Sequence, residues 1–307
     1  METLVSDIRH SLRVLRGSPG FTATAVLALA LGIGANAAIF SVVNAVLLKP
    51  LPYPQPERIV QLMNSTPQGN FPGASVPKYN IWRRQKQVLE DVTAYDAAGP
   101  GINLTGGDRP VQVKGIHVSY EFFRLFGAPV VLGRTFTRDE DSPHGEHVVV
   151  LSDGLWKSRY GSDPSVLGRT IPLGGEPYTI IGVIGPNFIF DPSPDLYLPF
   201  QADPDSIQQA HYFGAAARLK PGIGIETARA ALKLAAEEFK RRFPGAMGPN
   251  NSFTVEPLQE TIVRNVRPAL LILLGAVGFV LLIACANLAN LQLVRATVRS
   301  REIAICR

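Results

Sequence analysis

The chain has 307 residues, a formal net charge of +5, 46% hydrophobic and 18% charged residues, and a mean hydropathy of +0.12. That apolar content excludes a disordered chain, and only two cysteines in such a length exclude a small disulfide scaffold. The charge deficit is concentrated in two places, residues 17–48 (32 residues) and 268–294 (27 residues), which contain no Asp, Glu, Lys or Arg. A helix rising 1.5 Å per residue needs roughly 20 apolar residues to cross a bilayer core, so both stretches are long enough to span.

In chain order, residues 1–20 read as a cytoplasmic amphipathic N-terminus. Leu4, Ile8, Leu12 and Leu15 share one helical face, with Asp7, Arg9 and Arg13 off it, before Gly17, Pro19 and Gly20 turn the chain. Residues 21–48 form the first predicted transmembrane helix. A cleaved signal peptide is the rival reading, but the run is about twice the roughly 7–15 residues of a signal core. Residues 49–74 read as a proline-rich loop, opening with KPLPYPQPERI.

A helix is expected from Pro77 to Leu89, with Trp82 on its buried side. Residues 111–118, VQVKGIHV, alternate like a strand. Ser119 is expected to cap a short helix that Gly127 ends. Residues 148–152 read as a buried strand followed by the capped helix SDGLWKSRYG, and RTIPLGGEPYTIIGVIG as a hairpin turning at Gly174-Gly175. DLYLPF, residues 211–219 and SFTVEPL are further strands. A helix is expected from about Ile225 to Phe243, with Ala228, Ala231, Leu232, Ala235 and Phe239 on one face. LQETIVRNV then leads into the second span, 268–294, and residues 295–307 form a cytoplasmic tail.

Interspersed strands and helices without a regular βα repeat favour α+β over a doubly wound sheet. The expected fold is therefore a membrane protein in which two transmembrane α-helices flank a large α+β extracytoplasmic domain, residues 49–267. Charge sets the direction. Residues 1–48 carry a net +1, residues 295–307 a net +3, and the long middle only +1. The positive-inside rule places both ends in the cytoplasm. Without a basic domain, a nucleic-acid partner is not expected. The outer domain contains no cysteine, Cys285 lies in the second span and Cys306 in the tail, which suits an oxidising exterior.

Motifs for chemistry are sparse. There is no GxxxxGK[ST], GxSxG or HExxH, so no catalytic, cofactor or metal residue is assigned and the chain has no P-loop of its own. His144 and His147 near Asp139, Glu140 and Asp141 could hold a cation, although a solvated charged turn is the plainer reading. His117 and His211 fall on predicted strands, where structural roles are expected. Within the spans, Asn36 and Asn44, and Asn287 and Asn290, must find partners in lipid, either as helix-packing contacts or along a substrate path. Ala30, Gly34, Ala38, Ser41 and Ala45 form a small-residue stripe on the first helix, and Gly275 and Gly278 begin one on the second. Two spans are few for a pore, so a second copy or further spans are implied.

Several segments carry a family resemblance. IRHSLRVLRGSPGFTATAVLALALGIGANAAIFSVVNAVLLKPLPY, FFRLFGAPVVLGRTFTRDED, VVVLSDGLWKSRYGSDPSVLGRTI, GEPYTIIGVIGPNF and LLIACANLANLQLVRATVRSREIAI resemble MacB-like and FtsX-like ABC transporter permeases, over nearly the whole chain. The fullest likeness is to the duplicated orphan permeases of that group. The resemblance implies a four-helix permease unit with a periplasmic core domain in the bacterial inner membrane. Against that pattern this chain ends after its second helix and is expected to be a truncated piece.

The resemblance also implies export, efflux or mechanotransmission coupled to a separate cytoplasmic ABC ATPase, with Arg301 and Glu302 as ATPase contacts and LQETIVRNV as a stalk. The same tail arginines could instead only anchor the helix at anionic lipid. A second permease copy, a periplasmic partner and the lipid bilayer complete the expected partners. Two other functions stay open. One is an FtsX-type regulator whose outer domain activates an envelope enzyme such as a cell-wall hydrolase, and the other is an anchored envelope enzyme.

Overall fold

The first helix, α1, is built from a long uncharged run and extends over Pro19–Val43, continuing as a π-helical turn over Asn44–Leu48. The computed structural model describes residues 19–96, 101–106 and 109–305. It divides into two compact units, Met1–Lys49 with Ile262–Arg307, and Pro50–Thr261. The amphipathic stretch expected within residues 1–20 falls almost entirely outside the described residues, as does Cys306.

The second unit contains thirteen strands among the described residues, in one mixed sheet. In chain order these are β1 (Ile59–Thr66), β2 (Gly69–Phe71), helix α2 (Val76–Trp82), β3 (Leu89–Asp96), β4 (Ile102–Leu104), β5 (Val111–Val113), β6 (Gly115–Val118), helix α3 (Phe122–Phe126), β7 (Val130–Gly133) and β8 (Val148–Ser152). Helix α4 (Asp153–Tyr160), β9 (Thr170–Leu173), β10 (Glu176–Ile184), β11 (Leu196–Pro199), β12 (Gly214–Leu219), helix α5 (Ile225–Arg242) and β13 (Ser252–Pro257) complete it. The spatial order is β13-β1-β12-β3-β6-β11-β8-β10-β9-β4-β5, with β2 on β1 and β7 on β10. Pairing is antiparallel except for β6 with β11 and β8 with β10.

Three apolar clusters fill this unit. The first joins β1, α2, β3, β12, α5 and β13 around Trp82, Tyr79 and Phe239. The second gathers Phe122, Phe123, Phe126, Phe190 and Tyr197, whose rings meet mostly edge to face. The third lies on β8, β9 and β10 around Val149, Leu151 and Ile180. The hairpin at Gly174-Gly175, the buried strand 148–152 and the Ser152 cap of α4 form as expected, with Ser152 Oγ accepting from Leu155 N at 3.2 Å.

Other expectations need correction. Residues 49–74 are not all loop. β1 is an interior strand with Ile59, Val60, Leu62 and Met63 buried, and its polar Gln61 is satisfied by Ala215 O at 2.9 Å and Tyr95 Oη at 2.7 Å. The helix expected from Pro77 to Leu89 stops at Trp82, because Arg84 N and Gln85 N bond back only three residues and Leu89 enters β3. Residues 111–118 split at Lys114, whose N–H and C=O are both taken by Asp195, so β5 and β6 pair with different strands. His211 precedes β12 and is not on a strand. Ser119 does not cap α3, since its hydroxyl bonds Thr93 Oγ1 at 2.8 Å and Ala94 N at 3.2 Å. Gly127 does end that helix, at φ 67°.

Helix α6 (Leu258–Val263) begins within the sheet unit, and α7 (Arg267–Ile305), in the other unit, is a single 39-residue helix. It runs through the expected boundary at residue 294 without a break, and RATVRSREIAI contains no Gly or Pro to stop it. Ala30–Leu48 and Arg267–Asn287 are long and apolar enough to cross a membrane, with mean hydropathies of 1.9 and 2.9.

Candidate functional site

Within the sheet unit, β1 follows the first apolar helix in sequence and β13 precedes the second. These two strands lie side by side, in register from Val60 opposite Pro257 to Ser65 opposite Ser252. An antiparallel ladder of this kind resists displacement along the strands, because several backbone hydrogen bonds must shear together. Sequence reasoning missed this junction because β1 sits behind four prolines and carries Gln and Asn among its apolar residues.

The chain leading into β1 is clamped by Arg218 of β12, which is 6% exposed. Its guanidinium donates to Pro54 O at 2.6 Å and to Leu125 O at the end of α3. Burial and the neighbouring Arg58 lower its pKa. Arg58 in turn bonds Leu219 O at 2.9 Å and Glu90 Oε2 at 2.6 Å. Tyr53 donates to Ile189 O at 3.1 Å and meets Phe126 edge-on, and burial with the Asp191 charge pushes its pKa up to about 12.

Beneath the ladder lies Lys78 of α2, buried and bound to Asn64 Oδ1 at 2.6 Å and His211 Nε2 at 2.7 Å, with the Phe239 and Phe253 rings 5.9 Å away. Burial lowers its pKa to about 8, and burial together with the lysine charge lowers that of His211. Composition alone could not place this lysine inside.

The loop after β7 is the exposed charged turn expected, with Asp139, His144 and His147 at the surface, but Glu140 and Asp141 are buried and hold it in shape. Glu140 takes two bonds from Arg134, at 2.7 and 2.8 Å, and one from Thr137 N at 2.7 Å. Asp141 accepts from Gln201 N at 2.8 Å and Tyr120 N at 3.0 Å, and burial raises its pKa to about 6. His147 stacks on Tyr178. Among the described residues no group of three or more His, Cys, Asp or Glu is arranged to hold a metal.

In the helical unit, Asn36 does find a partner across the pair, donating to Val277 O at 3.1 Å and to Gly32 O at 2.9 Å. The close approach falls at Gly32, where an added Cβ would lie 3.1 Å from Leu281 Cδ1. Gly34, Gly275 and Gly278 have open space around them, and Ala38, Asn44, Asn287 and Asn290 are exposed. The expected stripe therefore does not form this contact, whose marker Gly32 lies about 200° around the helix from Gly34. Arg301 and Glu302 lie on α7, and their side chains fall outside those described.

The family model of the MacB-like periplasmic core domain matches residues 22–235. A Pseudomonas entomophila protein named "Probable export ATP-binding/permease protein MacB" is 26% identical over 223 residues, 71% of this chain and 32% of that one. A "Probable export ATP-binding/permease protein" of Pseudomonas fluorescens is 26% identical over 262 residues, 80% of this chain and 39% of the relative. The chain thus spans about a third of the length of the curated relatives it matches. The crystal structure of a permease protein domain from Porphyromonas gingivalis shares the fold, with a TM-score of 0.51, 20% identity, and coverage of 67% of this chain and 93% of that one.

Proposed function

The chain belongs to the MacB-like periplasmic core domain family, and from that premise we propose that it is a permease subunit of an ABC-type export, efflux or mechanotransmission system. It resides in the bacterial inner membrane with its sheet domain in the periplasm. A separate cytoplasmic ATPase supplies the nucleotide chemistry. Movement of the membrane helices reaches the outer domain through the β1–β13 ladder, which joins the two strands next in sequence to the spans. That adjacency is the observation that carries the reading. Arg301 and Glu302 meet the ATPase. The open faces around Gly34 and Ala38 on α1, and around Gly275, Gly278, Asn287 and Asn290 on α7, receive a second permease copy or further helices. Asn44 packs in the same way.

Affinity purification of the full chain from its own membranes, followed by ATPase assay, tests this. The reading predicts a co-purifying P-loop ATPase whose recovery falls in Arg301→Ala/Glu302→Ala. Recovery of an envelope hydrolase in place of any ATPase would replace it with the FtsX-type regulatory reading.

A further inference from the structure

In the outer unit a cavity of about 460 Å³ opens among the end of α2, the β6–α3 connection and the loop after β7. Arg83, Arg84, Lys86 and Arg138 line it, together with Tyr120 and Glu121. Four cations sharing one cleft repel each other, and the protein neutralises them poorly. Arg83 lies 3.7 Å from Glu121 Oε1 and Arg84 lies 3.9 Å from Glu238 Oε1, both longer than a charge-assisted hydrogen bond. Lys86 and Arg138 form no ion pair among the described residues.

Glu121 has the complementary deficit. Its side chain is 2% exposed, and Oε2 has no hydrogen-bond partner among the described residues. A buried carboxylate oxygen without a donor is costly, so the wall of this cleft calls for an N–H group from outside. With Glu121 beside Arg83 and Glu238 beside Arg84, the four cations still leave the cleft net positive, which suits a phosphate. Guanidinium groups grip phosphate oxygens in pairs.

We propose that this cavity binds a phosphate ester bearing a primary ammonium group, of the phosphoethanolamine class. The phosphate sits among Arg83, Arg84, Lys86 and Arg138, and the ammonium donates to Glu121 Oε2. Free phosphoethanolamine, a phosphate monoester, and the headgroup of phosphatidylethanolamine, a singly charged diester, both join a phosphate to a primary ammonium. The proposal is independent of any ATPase.

Calorimetric titration of the full chain in neutral detergent tests it, using phosphoethanolamine, phosphocholine and inorganic phosphate at fixed ionic strength. Phosphocholine has the same phosphate but no N–H to offer. The expected result is that phosphoethanolamine binds about tenfold tighter than phosphocholine, the worth of one hydrogen bond to a buried charge. Glu121→Gln should erase that preference. Lys86→Ala/Arg138→Ala changes only exposed residues, so folding is retained, and it should weaken both esters about tenfold. Lys157→Ala, on α4, should change neither.

In nanodiscs, loss of soluble phosphoethanolamine binding with phosphatidylethanolamine but not phosphatidylcholine would support the headgroup as the source. Equal binding in both would support the soluble ester. Equal affinity of wild type for phosphoethanolamine and phosphocholine, or no binding of either, would overturn the proposal.

Discussion

Trp82 and Phe279 are both large apolar residues on helices, yet Trp82 is fully buried and Phe279 is 68% exposed. The contrast holds across the two units. Residues 50–261 gather most of their aromatic and aliphatic side chains into three clusters, leaving scattered exceptions such as Ile207 and Leu234. The helix pair turns Leu31 (74% exposed) and Ile272 (73% exposed) outward instead. Apolar area left in water forfeits about 25 cal/mol per Å², a deficit this pair escapes in a lipid environment. One chain therefore satisfies one rule in two media. The sheet unit supplies its own apolar environment, and the helix pair takes it from the bilayer.

The widest gap should open in the sheet unit. Trp82→Ala removes a fully buried ring that meets Phe253 edge-on at 5.2 Å. It should cost about 3–5 kcal/mol. Protease sensitivity of residues 50–261 should rise sharply while the chain stays in the membrane fraction after carbonate extraction. The reciprocal change is Phe279→Asp, which should cost about 3 kcal/mol of insertion at the helix centre and release chain into the soluble fraction without altering the sheet. If Phe279 faced water, this substitution would be neutral.

Arg218→Ala should cost about 2–3 kcal/mol through the stranded carbonyls of Pro54 and Leu125, read as a lower melting temperature of the sheet unit. pH offers a subtler probe. Lys78 loses its proton near pH 8 when folded and near 10.5 when unfolded, so its charge opposes folding below pH 8. Stability from this group should rise as pH increases from about 8 to 10.5, and Lys78→Met should flatten that slope. Asp141 has the opposite habit. Its folded pKa of about 6 lies above the ordinary 3.8, so its contribution should improve as pH falls from about 6 to 4. The smallest effect separates neighbours in the helical unit. Gly32→Leu should loosen the α1–α7 pair by about 1 kcal/mol, whereas Gly34→Leu should leave it intact, as cross-linking between the helices would report.

Long-range context separates what could be read from residues alone from what could not. The uncharged runs, the Gly174-Gly175 hairpin, the 148–152 strand and the Ser152 cap depend on local chemistry, so they were legible. β1 and β3 were not, because Gln61 and Thr93 break the apolar pattern and take distant partners, Ala215, Tyr95 and Ser119. For the same reason nothing in the local sequence marks Arg218 and Lys78 as buried. Their buried roles depend on groups such as Leu125 and His211, 93 and 133 residues away in sequence. Small residues in a helix do announce close packing, but choosing Gly32 over Gly34 needs the facing Leu281.

The account rests on the sheet unit lying outside the cytoplasm, and one exposed residue tests it directly. Lys114→Cys, placed in a Cys285→Ala/Cys306→Ser background, supplies a single thiol between β5 and β6. A membrane-impermeant maleimide applied to intact spheroplasts should label it as fully as in lysed cells. Labelling that appears only after lysis would place the sheet on the cytoplasmic side and contradict the account.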